Sequence, residues 1–320
     1  MDGTAENREP LIVLTGPTAV GKTELSLALA HAVGGEIVSA DSMQVYRGLD
    51  IGSAKIPPED RQDVPHHLID VLDPEEPFDV SRFQKMAEDA MEGILERGHI
   101  PILAGGTGFY IQAVTRQIDF TEAGGESSTR EKWMRLAEEE GPEALHAKLA
   151  EVDPEAAEAI HPNNIKRTIR ALEFHEQTGL PISGHNKSQQ ERTSPYELAY
   201  FVLTDDREKL YARIEERVDA MMEQGLEQEV RRLWEQGLTE EMTSMKAIGY
   251  KEFFPYFRGE CSLEEAVRQI KRNTRHYAKR QLTWFRREPE TIWIDKREFG
   301  YDDEKILAYM LDVLKEKKII

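Results

Sequence analysis

The 320-residue sequence has a single cysteine, Cys261, which excludes an intrachain disulfide framework and a cysteine-cluster metal site. It lacks any uncharged apolar run near the about 18 residues that a membrane-spanning helix needs. It has no internal repeat and no low-complexity tract. Residues 1–10 are polar and acidic, unlike a secretory signal or an Arg-rich transit peptide, so a cytoplasmic protein, read as a monomer, is the expectation. Basic residues are the minority, 41 Lys and Arg against 60 Asp and Glu, giving a net charge of −19. That total excludes a generic nucleic-acid coat, though not a nucleic-acid enzyme, because partners respond to local fields. The distribution is uneven: residues 266–287 hold eight Lys or Arg and no acid. In so acidic a chain, such a stretch suits a polyanionic partner.

What is present is enough for a packed core: 39% hydrophobic residues, with 4 Trp, 11 Phe and 10 Tyr. The length exceeds one ordinary domain, so a core with an added lobe is expected. Apolar segments at 11–15, 36–41, 67–72 and 100–104 read as buried strands. Helical patterns at 22–33 and 80–97 alternate with them, the second placing Phe83, Ala87, Met91 and Ile94 on one face. This order predicts an α/β fold, a phosphate-loop three-layer core with a mostly parallel sheet. From 119 to 197 the chain is Glu- and Ala-rich without a convincing strand, and reads as a helical insertion lobe bounded by loops at 121–128 and 184–190. The expected division is therefore 1–118, 119–197 and 198–320. A strand returns at 198–204, followed by helices to the end; Ser262 with Glu265 forms a capping box that starts one long basic helix.

Gly16, Pro17, Thr18, Ala19, Val20, Gly21, Lys22 and Thr23 fit G-x-x-x-x-G-K-[ST], directly after a strand and before a helix. The glycines let amides turn inward around a phosphate and the helix N-terminus adds its partial positive charge. Lys22 is placed to reach the terminal phosphate oxygens, and the Thr23 hydroxyl to coordinate Mg²⁺. The loop marks a polyphosphate site without saying whether ATP or another diphosphate fills it. Asp41 ends the second strand, where open α/β sheets place ligands, so it faces the crevice of Lys22 as a reacting group, a helix cap or a contact behind magnesium. The turn at 105–110 ends another strand on the same edge, as part of the site or as a plain connection. Arg213 and Arg217 share a helix face, which suits a diphosphate or pairing with Glu216 and Glu223. His66 and His67 lack a third ligand nearby, and Met221 and Met222 read as core.

Taken together, the phosphate loop, Asp41-Ser-Met-Gln-Val-Tyr-Arg47, Asp50-Ile-Gly-Ser-Ala-Lys55, Gly105-Gly-Thr-Gly-Phe-Tyr110, Ala247-Ile-Gly-Tyr-Lys251 and Thr274-Arg-His-Tyr-Ala-Lys-Arg-Gln281 with Thr283-Trp284 resemble the tRNA dimethylallyltransferase (tRNA isopentenyltransferase) family, in order and over nearly the whole chain. Ser53 and Leu49 depart slightly from the family pattern. The resemblance implies transfer of a dimethylallyl group from dimethylallyl diphosphate to the exocyclic amine of adenosine-37, the nucleotide 3′ of the anticodon. It implies that the phosphate loop holds a leaving diphosphate with Mg²⁺. It further implies catalytic roles for Lys22, Thr23, Arg213 and Arg217, with Asp41 as general base. A flipped base would be held by Asp41, Ser42, Met43, Gln44 and Thr107. The lobe is similar to the family's anticodon-clasping segment, with Arg130, Lys166, Arg167, Thr168, Ile169 and Arg170 at matching positions. Lys246, Gly249, Tyr250, Lys251, Arg275, Lys279 and Arg280 would meet backbone phosphates.

The principal alternative is a phosphate-loop kinase using ATP. It leaves the basic helix and the lobe without a purpose. A non-catalytic RNA-binding module would not need the intact Lys22, Thr23 and Asp41. An enzyme that prenylates free adenine nucleotides would share the core and not need the basic surface.

Overall fold

A computed structural model describes residues 8–120 and 127–320. Six strands form one sheet in the order β3-β2-β4-β1-β5-β6, and every pairing is parallel. The strands are β1 (Pro10–Thr15), β2 (Gly35–Ala40), β3 (His66–His67), β4 (Ile100–Gly105), β5 (Glu197–Thr204) and β6 (Thr291–Asp295). β1 and β2 are buried over almost their whole length, as continuous apolar strands covered on both faces must be.

Alternation along β1 divides the core into two layers. Leu11 and Val13 face one cluster with Val38, Leu103 and Val202. Ile12 and Leu14 face the other with Ile37, Ile102 and Leu203. The first layer is closed by α2 (Val80–Glu96), α3 (Gly108–Thr115), α10 (Leu226–Glu235), α11 (Phe253–Phe257) and α12 (Leu263–Phe285). The second is closed by α1 (Lys22–Val33) and α13 (Asp303–Glu316), with α9 (Arg207–Glu223) giving Leu210 and Ile214 to it and Val218 to the first. β1 lies between β4 and β5, so the chain leaves it to one side through α1 and β2 and returns on the other through β5. That reversal opens a crevice at the carboxyl ends of the strands.

Two strand expectations are corrected. The segment 67–72 does not continue as a strand beyond His67, because Leu68 and Asp70 adopt left-handed φ of 62° and 57°. Its amides turn to a neighbouring loop instead, with Asp70 N donating to Gln44 O at 3.1 Å and Val71 N to Val45 O at 2.9 Å. The C-terminal part is also not purely helical, since β6 adds an edge strand beside β5. The signal was the β-branched and aromatic run Thr291-Ile-Trp-Ile294 after the turn at Pro289.

A second compact unit comprises residues 116–194, and the first comprises 1–115 with 195–320. The second unit is helical: α4 (Ser127–Glu140), α5 (Pro142–Val152), α6 (Pro154–Ala159), α7 (Ile165–Thr178) and α8 (Ile182–Gln190) surround Trp133, Leu145, Leu149, Ile169 and Leu172. The loop expected at 184–190 is instead α8. Of the loop expected at 121–128, residues 121–126 lie outside the described residues and Ser127 opens α4. Ser262 caps α12 by accepting from Glu265 N at 3.2 Å, but the Glu265 carboxylate turns to Gln269 and Arg268, so only half of the expected capping box forms.

At the amino end of the sheet, buried Glu36 of β2 receives Arg97 at 3.0 and 2.7 Å, and its oxygens meet His67 and His99 at 2.7 Å each. The Arg97 hydrogen bonds, helped by the two imidazoles, hold its pKa at about 2, against 4.5 ordinarily. A depressed carboxylate contributes stability that is full above its unfolded-state pKa and lost as pH falls through the folded one. Glu36→Gln is therefore expected to lower stability at pH 7 by roughly 1–3 kcal/mol. The gap between parent and variant in chemical denaturation should narrow below about pH 4 and close near pH 2; a pH-independent gap would contradict the assignment.

Candidate active site

The turn between β1 and α1 follows from its glycines. Gly16 has φ +147°, and a Cβ there would lie 2.5 Å from the Leu203 carbonyl oxygen of β5. Gly21 stands at the N-cap of α1, which has no side-chain cap, so the first-turn amides are open to an anion. Lys22 Nζ donates back to Gly16 O at 3.0 Å and Pro17 O at 2.9 Å. Thr23 is exposed on the first helical turn and lines the same cavity.

That cavity, of about 600 Å³, also receives Asp41, Gln44, Arg213 and Arg217. Asp41 Oδ1 accepts from the amides of Met43 at 2.8 Å and Gln44 at 3.3 Å, a local turn that fixes the carboxylate. Burial raises the Asp41 pKa, opposed by those amides and by Lys22 and Arg217. Burial, then Arg217, lowers Lys22 to about 7, opposed by Asp41. Arg217 is also lowered by burial, opposed by Glu24 and Asp41. Two cations and one carboxylate thus share one cavity, in which Asp41 and each cation shift one another and Arg217 also lowers Lys22.

Arg213 is held through one guanidinium nitrogen by Asp205, whose side chain is fully buried. Its Nε is buried and has no hydrogen-bond partner among the described residues. An open donor beside a phosphate loop suits an anion. Asp205 itself accepts from Tyr301 Oη at 3.1 Å and from the Asp206 amide at 2.6 Å. The acids that spacing offered as partners, Glu216 and Glu223, are not the ones that hold Arg213.

Gln44 is fixed by Ser39 Oγ, which donates to its Oε1 at 2.9 Å, and by donation from its Nε2 to Ser53 O at 3.3 Å. Ser42 and Met43 are half-buried beside it, and the Thr107 amide donates to Ala40 O at 3.2 Å. The loop at 50–52 is held by a carboxylate distant in sequence. Glu229 of α10 accepts from the amides of Asp50, Ile51 and Gly52 at 3.1, 2.9 and 3.2 Å. Sequence reading places Tyr277 and Gln281 only within the basic block 274–281, with no role of their own; both line the cavity from α12. Their signal was the four-residue spacing inside the basic helix.

The outlying expected contacts divide by exposure. Lys279, Arg280, Lys246 and Lys251 are exposed, and Arg275 is paired with Glu215. Tyr250 is fully buried and donates to Glu229 at 2.6 Å, which corrects its expected phosphate contact. Gly249 is buried as well, its amide donating to Glu252 at 2.8 Å. In the helical unit Lys166 and Arg167 are exposed, whereas Thr168 and Ile169 are buried on the inner face of α7, where they contribute packing and not a surface. Arg130 makes a two-pronged pair with buried Glu173 at 2.9 and 3.0 Å, and Arg170 is half-buried beside them. Among the described residues no group of three or more His, Cys, Asp or Glu is placed to hold a metal, and no helix is long and apolar enough to cross a membrane.

Residues 44–288 match the sequence model of a family described as IPP transferase, and residues 10–70 match one described as isopentenyl transferase. A tRNA dimethylallyltransferase of Lachnoclostridium phytofermentans is 54% identical, covering 98% of this chain and 99% of its own length. That of Bacillus cytotoxicus is 49% identical, covering 95% and 96%. The full-length tRNA isopentenylpyrophosphate transferase of Bacillus halodurans superposes with a TM-score of 0.73 at 45% identity, covering 97% of this chain and 98% of that one. A eukaryotic dimethylallyltransferase solved acting on tRNA gives 0.78 at 32% identity, covering 90% and 74%. The kinase alternative finds no support in these relatives, and the chain belongs to the tRNA dimethylallyltransferase family of prenyl-transferring enzymes.

Proposed function

We propose that this chain transfers the dimethylallyl group of dimethylallyl diphosphate to the exocyclic amine of adenosine-37, 3′ of the anticodon in tRNA. One observation carries the reading: the Asp41 carboxylate, Lys22 and Arg217 face one cavity, so a proton acceptor and the cations suited to a departing diphosphate address the same space. The diphosphate accepts hydrogen bonds from the open amides of α1, from Lys22 and from the guanidiniums of Arg213 and Arg217. As the allylic carbon–oxygen bond breaks, the bonding pair leaves with the diphosphate, and these fixed donors stabilise the charge that develops. The exocyclic nitrogen forms its bond to the allylic carbon and loses a proton to the Asp41 carboxylate. Burial makes that carboxylate a stronger proton acceptor. The adenine amine is a poor nucleophile, so its alignment with the allylic carbon matters as much as basicity.

The exposed Thr23 hydroxyl would be the protein's contribution to holding Mg²⁺ beside a diphosphate, as no cluster of carboxylates is placed for a metal among the described residues. When bound, the ion neutralises diphosphate charge. The acceptor base leaves its stack to enter the cavity, which Gln44 lines, with Ser42, Met43 and Thr107 on the adjoining turns. Lys246, Lys251, Lys279 and Arg280, with Lys166 and Arg167 of the helical unit, meet backbone phosphates, which supports tRNA as partner despite the acidic total charge.

Purified protein with Mg²⁺, unmodified tRNA and labelled dimethylallyl diphosphate should move label into tRNA, while γ-labelled ATP should give no phosphate transfer; the reverse pattern would restore the kinase. Asp41→Asn should reduce kcat by about 10²–10⁴-fold with tRNA affinity within about threefold; equal loss of binding would make Asp41 a recognition residue. The lowered Lys22 pKa sets a sign for donor binding. Below about pH 7 the empty site already carries the ammonium, and above it a proton must be taken up to meet the diphosphate. Affinity for inorganic diphosphate should therefore fall from pH 6 to pH 9, by at most about tenfold per unit. Lys22→Arg should flatten the profile, separating the lysine from the titration of the ligand. tRNA affinity should fall about tenfold or more between 50 and 200 mM salt. A Lys279→Gln/Arg280→Gln variant should lower the slope by about one to two; an unchanged slope would remove the phosphate role of that face.

A further inference from the structure

Helix α12 presents different chemistry on its two sides. Tyr277, Gln281 and Trp284 follow four- and three-residue steps, so they lie along one stripe. Lys279, Arg280, Thr283 and Arg287 border an open hollow of about 480 Å³ that Trp284 also reaches. Gln281 is 5% exposed, and both ends of its amide are engaged. Its Oε1 accepts from the Thr18 amide at 2.9 Å, and its Nε2 donates to Gly106 O at 2.9 Å. Thr18 belongs to the phosphate loop, and Gly106 leads from β4 into Thr107. The fit admits nothing larger: a Cβ on Gly106 would stand 2.2 Å from Gln281 Nε2.

A phosphate loop works only if its amides converge when the anion arrives, and prenyl transfer needs the allylic carbon and the acceptor nitrogen at a fixed separation. The loop has no other side-chain hydrogen bond to its Thr18 amide among the described residues, and the Gln281 amide is long enough to bridge the two backbones at once. We propose that Gln281 is a positioning residue for the transfer, tying the phosphate loop to the end of β4 so that the diphosphate cradle and the acceptor pocket are held as one unit by the helix whose other side carries the cations. This rests on the donor and acceptor proposed above. Gln281 lines the cavity, but both ends of its amide are taken up by Thr18 and Gly106, so its action runs through those two backbones.

The test is a double-mutant cycle. Gln281→Met keeps the side-chain length without the hydrogen bonds, and Gly106→Ala displaces the amide by crowding it. Inorganic diphosphate binding, tRNA binding and steady-state transfer would be measured for each variant and for the pair, with thermal unfolding as the check on folding. Gln281→Met is expected to weaken diphosphate binding and lower kcat by about tenfold or more each, leaving tRNA affinity within about threefold. The double variant should lose little beyond the worse single one, because both act on the same bridge. Should Gln281→Met fail to fold, Gly106→Ala alone is expected to show the same split between diphosphate and tRNA. Diphosphate binding and kcat within twofold of the parent would overturn the proposal, as would an equal loss of tRNA affinity, which marks a direct tRNA contact or general packing. Failure of the unaltered protein to bind diphosphate would overturn the donor assignment itself, a result separate from any effect of Gln281.

Discussion

Burial of one carboxylate between two cations is the constraint on which the site depends. Charges interact more strongly where water is removed, so gathering Asp41, Lys22 and Arg217 in one cavity couples the protonation of the carboxylate to that of the cations. The signs are those that prenyl transfer requires. Asp41 is moved toward accepting a proton, and Lys22 to about 7, from which the proposed diphosphate would recharge it. Neither shift arises from a residue type or a spacing. Both come from the closure of the cavity by the phosphate loop, β2, the end of β4, α9 and α12.

That closure is maintained by side chains that tie backbone segments and one arginine in place. Asp205 holds Arg213, Glu229 gathers the amides of 50–52, and Gln281 spans two loops. Each is buried, and each satisfies groups that would otherwise be orphaned at the mouth of the sheet. The loops at the carboxyl edge are irregular, with left-handed residues at Ala19, Ala54, Leu68 and Asp70. Irregular backbone of this kind persists when its surroundings over-determine it. Tyr250 illustrates the principle: its ring packs against Gly52, and its hydroxyl supplies a fourth donor to Glu229.

The basic helix reconciles an acidic protein with an anionic partner. Three of its cations are paired with acids, Arg268 with Glu265, Lys271 with Asp219 and Arg275 with Glu215. Arg272, Lys279 and Arg280 are exposed. A local surface of this kind can recruit a polyanion while the overall charge discourages indiscriminate binding. The same reading distinguishes α7, whose Lys166 and Arg167 look outward while Thr168 and Ile169 close the core of the helical unit.

The phosphate loop was legible because backbone demands select glycine at Gly16 and Gly21 and chemistry selects Lys22 and Thr23 at fixed spacing. The alternation of apolar strands and amphipathic helices was legible because a parallel sheet must be covered on both faces. Asp41 was locatable because a strand end determines which way its residue faces. Other features were decided only by the tertiary structure. The strand expected over 67–72 gave way to loop pairing because left-handed turns at Leu68 and Asp70 redirected its amides. β6 was missed because five residues carry too little periodicity to stand out between helices. Which arginine partners Asp205, which tyrosine is buried and which glutamine bridges two loops depend on contacts between segments far apart in the chain, and local sequence carries no record of those distances.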